Sequence, residues 1–71
     1  MSDNAPAIGL LTYCVNNLTI ITDGERSLLR EMLAAAHRNT LHEWGQANLP
    51  RALEVRRLFD KIKAHLNATS S

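Results

Sequence analysis

With 71 residues, 45% of them hydrophobic and 21% charged, the chain has room for one domain and is too apolar for wholesale disorder. Eight basic residues against seven acidic ones leave a net charge of +1, so global charge favours neither nucleic acid nor an anionic membrane surface as a partner. The single cysteine, Cys14, excludes an internal disulfide.

Residues 1–7 are small or polar, include Pro6 and are expected to form a flexible lead. The start Met1-Ser2-Asp3-Asn4 lacks the basic opening of a secretion signal. No run of about 18 apolar residues offers a transmembrane helix. Together with the lone thiol, these features suggest a cytoplasmic protein with no membrane association.

Residues 8–21 leave two alternatives open. Leu11, Cys14, Val15 and Leu18 fall at helical spacing, whereas Thr12, Tyr13, Val15, Thr19, Ile20 and Ile21 are strand-prone types. The spacing favours a short helix over about 8–17, ended by Asn16-Asn17. A strand would need a pairing edge from a second subunit.

The next helix has a clear start. Thr22-Asp23-Gly24-Glu25 fits a capping box, in which the Thr22 hydroxyl accepts from the Glu25 N–H and the Glu25 carboxylate accepts from the Thr22 N–H. Good helix formers then continue to Trp44, and Gly45 is a plausible stop. Residues 45–49 make a short connector. Pro50 stands in the first turn of a last helix that runs to about Leu66 and is ended by Asn67, leaving a flexible tail over 68–71. A connector this short joins antiparallel neighbours. The expected fold is therefore all-α: a helical hairpin of two long helices preceded by a short helix or extended segment, with one domain over 8–67.

On the last helix Ala52, Val55, Phe59, Ile62 and Leu66 form a stripe that Leu58 widens. On the middle helix Leu28, Leu29, Met32, Leu33, Ala36, Thr40 and Trp44 spread over roughly 160°, and His37 and Leu41 extend the band. The expected hairpin core is Leu29, Met32, Ala36, Val55, Phe59, Ile62 and Leu66. A helix packed on one neighbour needs an apolar arc of only about 100°. The surplus edge, Leu33, His37, Leu41 and Trp44, is the candidate interface to the N-terminal segment, a second copy or another protein. One core in so short a chain supplies at most about 3–5 kcal/mol, so a homodimer is the natural route to extra stability.

Candidates for chemistry are few. His37 and His42 are five residues apart, which turns their side chains roughly 140° from each other on a helix and gives no metal site. No nucleophile has a base at a fixed offset, and Gly9, Gly24 and Gly45 are too scattered for a phosphate loop. No catalytic residue, metal or cofactor is expected. Arg51, Arg56 and Arg57, with Lys61 and Lys63, outnumber Glu54 and Asp60 on the last helix and are candidate electrostatic contacts.

In architecture, residues 22–66 resemble the short helical-hairpin accessory and inhibitor proteins of bacteria and their phages. The resemblance implies a small regulator that docks on a larger protein. The stretch Leu18-Thr19-Ile20-Ile21 ahead of two helices is also similar in outline to a ribbon-helix-helix repressor, which implies a paired strand reading DNA. The stretch carries no Arg, Lys or Gln for that task. The expected function is thus a protein-binding regulator, with a DNA-binding regulator as the alternative.

Overall fold

The computed structural model describes residues 5–70, and every regular element among them is helical. Four α-helices follow one another: α1 (Ala5–Asn17), α2 (Asp23–His37), α3 (Leu41–Ala47) and α4 (Ala52–Ser70). A single 3-10 turn over Leu49–Arg51 precedes α4, with Pro50 in its first positions, where a missing N–H costs no hydrogen bond.

Residues 8–17 are helical, as their spacing indicated, but α1 starts earlier, at Ala5. Ala5–Ala7 thus belong to the helix rather than to a lead, because Pro6 is well tolerated in a first helical turn. Residues 1–4 of the expected lead lie outside the described residues. Leu11, Cys14 and Val15 face inward and are buried. The Asn17 side-chain amide donates to the Tyr13 carbonyl (3.1 Å), one turn back in the same helix.

Residues 18–22 form a connector, and no strand occurs among the described residues. Leu18 and Ile21 are buried, 2% and 8% exposed. Their side chains drop into the core instead of lining a ribbon, so the strand on which the ribbon-helix-helix outline depended is not there. Arg26 of α2 spans this connector, with its guanidinium donating to the carbonyls of Val15 and, at 2.7 Å, Leu18.

The capping box at the start of α2 is formed as its sequence pattern indicated. Glu25 N–H donates to the Thr22 hydroxyl (3.1 Å), and Thr22 N–H donates to Glu25 Oε1 (2.8 Å). The continuous helix expected over 23–44 is not formed. It is broken at Arg38-Asn39-Thr40, where Asn39 takes a left-handed φ of 60°. Asn39 N–H donates to the Ala36 carbonyl (3.1 Å) and Thr40 N–H to the Ala35 carbonyl (2.8 Å). That pair of bonds is a Schellman motif, which closes a helix on a left-handed residue. Asparagine is among the few residues that accept this conformation at small cost.

The chain restarts as α3, and Gly45 lies inside this helix rather than at its end. The expected connector over 45–49 shrinks to Asn48 and the 3-10 turn, because the Asn48 backbone and side-chain N–H groups both close on the Trp44 carbonyl, at 3.0 and 2.7 Å. Helix α4 continues past Asn67 to Ser70, so the expected tail over 68–71 is helical as far as Ser70; Ser71 lies outside the described residues. Within that extension the Thr69 hydroxyl donates to the Leu66 carbonyl (3.1 Å).

Helix α2 is central. Its closest neighbour is α1, which meets it across the five-residue connector. On another side it faces α4 and the turn before it through two ion pairs, Glu25–Lys61 (3.0 Å) and Glu31–Arg51 (3.1 Å), which run in opposite sequence order along the two segments. Part of the apolar band of α2 is therefore met within the chain, by α1. Leu28, Leu29, Met32 and Ala36 are buried between Leu11, Cys14, Val15, Leu18 and Ile21 on one side and Leu58 and Ile62 on the other. Of the expected hairpin core, Leu29, Met32, Ala36 and Ile62 are buried, while Val55, Phe59 and Leu66 are half-buried at its margin. Leu58, not Phe59, is the deepest residue of α4 in that region, at 2% exposure. No polar side chain is buried among the described residues.

Candidate functional site: the α2–α3 elbow

The Schellman turn sets α3 at an angle to the end of α2, and a cleft of about 500 Å³ opens in the elbow. Ala34 and Ala35, from the last turns of α2, lie beside one another along it. Trp44 of α3 stands opposite, and Glu31, Arg38, Thr40 and Glu43 complete the lining. Trp44 is half-buried, with part of its surface against the core cluster and part in the cleft. Ala34 is exposed and Ala35 buried.

Three interactions hold the elbow. The Thr40 hydroxyl donates to the Ala35 carbonyl (3.2 Å), tying the bend to α2. Asn48 closes α3 on the Trp44 carbonyl (2.7 Å). Arg51 donates to Asn48 Oδ1 (3.3 Å) and to Glu31 Oε1 (3.1 Å), which pins the segment after α3 back onto α2. The cleft is therefore lined by two alanines and an indole together with charges of both signs, from Arg38, Glu31 and Glu43. Small side chains in the lining let another backbone come close, and the indole offers a broad rigid contact surface.

Of the four residues expected at an interface, only Trp44 lines this cleft. Leu33 and Leu41 are half-buried against the core cluster, and His37 is exposed at the end of α2. Their common band assumed one continuous helix, and the turn at Asn39 separates Leu41 and Trp44 from Leu33 and His37. Among the candidate electrostatic residues, Arg51 is engaged inside the chain by Glu31, whereas Arg56 and Arg57 are exposed on α4. Arg38 and Glu43 were not expected at a site from sequence. The signal for them was local: Asn39 suits a helix end, and Thr40-Leu41-His42-Glu43 repeats the capping-box pattern. The Thr40 side chain makes no cap bond in α3 and instead bonds back to α2.

Among the described residues two titratable groups depart from their ordinary behaviour, and neither is in the cleft. Burial pushes the Cys14 thiol up. The Thr22 N–H, followed by the Lys61 ammonium, holds the Glu25 carboxyl below the usual carboxylate range. Among the described residues no group of three or more His, Cys, Asp or Glu is placed to hold a metal ion, and no helix is long and apolar enough to cross a membrane. No known protein family model matches the chain, and neither a curated protein nor a solved structure matches it.

Proposed function

We propose that the chain is a small cytoplasmic regulator or inhibitor that binds another protein through the elbow cleft, without catalysis of its own, and acts as a homodimer. The observation that carries the reading is the make-up of the cleft: Trp44, Ala34 and Ala35 lining one cleft together with Glu31, Arg38 and Glu43. Protein-binding surfaces combine such parts, an aromatic anchor with polar groups that set orientation. The Glu31–Arg51 pair and the Asn48 bond fix the walls before a partner arrives, which lowers the ordering cost of binding.

The test uses Ala34→Arg, because Ala34 is exposed on a helix and arginine is a good helix former. The variant should keep its helicity and melting temperature while its side chain fills the cleft. Capture from nuclease-treated lysate of the native host identifies a partner, which is then purified and titrated. Ala34→Arg and Trp44→Ala should each weaken its binding thirty-fold or more, on the order of the 2 kcal/mol that a truncated interface Trp costs. A partner bound equally well by Ala34→Arg would overturn the assignment. Retention of nucleic acid that nuclease abolishes, with no protein partner, would favour a DNA-binding regulator instead.

A further inference from the structure

Of the four described helices, α1 alone carries no charged residue. Its buried side consists of Leu11, Cys14 and Val15. Its outer side is not the usual solvated face. Gly9 is exposed, Leu10 is 42% exposed and Tyr13 is 48% exposed, with polarity supplied by the Tyr13 hydroxyl and by Asn16 and Asn17 toward the end. A typical soluble surface is about 25–35% charged, so a 13-residue helix with an open, uncharged face is a surface built for contact. Beside it, Leu10 forms one wall of a groove of about 230 Å³ whose other walls are Phe59, Ile62 and Leu66 of α4, with Lys63 and Asn67 at its edge.

We infer that this face is where two copies of the chain meet, α1 against α1 across a two-fold axis, with an apolar side chain of each copy seated in the α1–α4 groove of the other. The assignment rests on the homodimeric part of the reading above and is independent of the elbow cleft. Charge selects the occupant. A two-fold axis places each surface against its own image, so any residual charge near the axis is repelled by itself. Helix α4 exposes Arg56, Arg57 and Lys63 beside Glu54 and Asp60, and α2 exposes Arg30 beside Asp23 and Glu31; those faces bring charged side chains of both signs to such an axis. The α1 face does not, and it offers a different partner no charge by which to be selected. At Gly9 an added Cβ would meet nothing within 4 Å inside the chain, so a second backbone has room to approach there.

That same opening supplies the test. Gly9→Lys fits the isolated chain without a clash and replaces a poor helix former with a good one, so the monomer should be at least as stable as before. In the dimer it places two ammonium groups close to the axis. Sedimentation equilibrium from 5 to roughly 500 μM, with about 1.4 kcal/mol per tenfold change in association constant, should show wild-type chain and an Arg56→Glu control as dimers. Gly9→Lys should be monomeric throughout, its association weakened a hundredfold or more, with an undiminished melting temperature. A wild-type chain that stays monomeric overturns the homodimer itself. A folded Gly9→Lys that still dimerises like wild type overturns the α1 face while leaving the homodimer standing.

Discussion

Arg26, one turn into α2, donates its guanidinium to the carbonyl of Leu18 at 2.7 Å and to that of Val15, so a single side chain closes the end of α1 from the helix that follows it. The carbonyls at a helix C-terminus have no partners of their own and carry the negative end of its dipole. A planar, permanently charged fork suits two such acceptors better than a point charge does. Arg26→Gln should lower stability by about 1.5–3 kcal/mol, the range for hydrogen bonds to charged groups. Arg26→Lys should recover only part of that loss. Urea unfolding of the three proteins measures it, and equal midpoints for Arg and Gln would show that water serves these carbonyls as well.

Asn39 holds the elbow in a left-handed conformation. The order of stability expected at this position is Gly and Asn together, then Ala, then Val. The left-handed conformation costs a side-chain-bearing residue about 1–2 kcal/mol, and β-branching makes it worse. Thermal melts of Asn39→Gly, Asn39→Ala and Asn39→Val check the series. A Val variant as stable as wild type would mean that the chain prefers the uninterrupted helix.

The three large side chains at successive depths on α4 should separate cleanly. Leu58→Ala creates a cavity in the centre of the core and should cost about 2–5 kcal/mol, enough to unfold much of so small a domain. Phe59→Ala, at the core margin, should cost less than a fully buried Phe would. Leu53→Ala, at a position 60% exposed, should stay within about 0.5 kcal/mol of wild type. Chemical denaturation midpoints decide the order, and a Phe59 variant weaker than the Leu58 one would reverse the placement of the stripe.

Glu25 carries a pH dependence with a definite sign. Its carboxyl is held below the usual carboxylate range by the Thr22 N–H and by Lys61. A group whose folded pKa is depressed contributes stability that is present above its unfolded pKa and is lost as pH falls through the folded one. Wild type should therefore be more stable than Glu25→Gln near neutral pH, and the gap should close on acidification below the ordinary carboxylate range. Melting temperatures from pH 7 down to about 3, which brackets the ordinary carboxylate pKa values, test this. A gap that persists at the acid end would assign it to shape, not charge.

Cys14 is fully buried, and burial raises its thiol pKa, which lowers the thiolate fraction and blocks access together. Alkylation by iodoacetamide near neutral pH should be slow in the native protein and fast in urea. Rapid native labelling would show that α1 opens readily. A disulfide between two folded chains through this residue is ruled out by the same burial.

How much of this was legible beforehand depends on whether a signal was local. The start of α2 was, because Thr22 and Glu25 satisfy each other within four residues. The inward face of α1 was, because Leu11, Cys14, Val15 and Leu18 keep helical spacing. The break at Asn39 was not read, since good helix formers flank it on both sides and one left-handed residue leaves the hydrophobic period nearly intact. The elbow cleft was accordingly hidden apart from Trp44: its other wall depends on the angle between two helices that the sequence pattern presented as one. Leu58 was underrated for a related reason. A seam counted from Val55, Phe59 and Ile62 assumes one neighbour, whereas α4 lies against a core to which both α1 and α2 contribute.

The five-residue link between α1 and α2 also bears on how the chain reaches this arrangement. Closing so short a loop costs little entropy, whereas bringing Lys61 back to Glu25 spans 36 positions. The α1–α2 pair, fastened by Arg26, is therefore the expected folding nucleus, onto which α4 should dock later. In kinetic terms, weakening the Arg26 clamp should slow folding, while truncating Leu58 should chiefly speed unfolding. Late docking should place α4 among the elements that open first, and amide exchange faster in α4 than in α2 would show it.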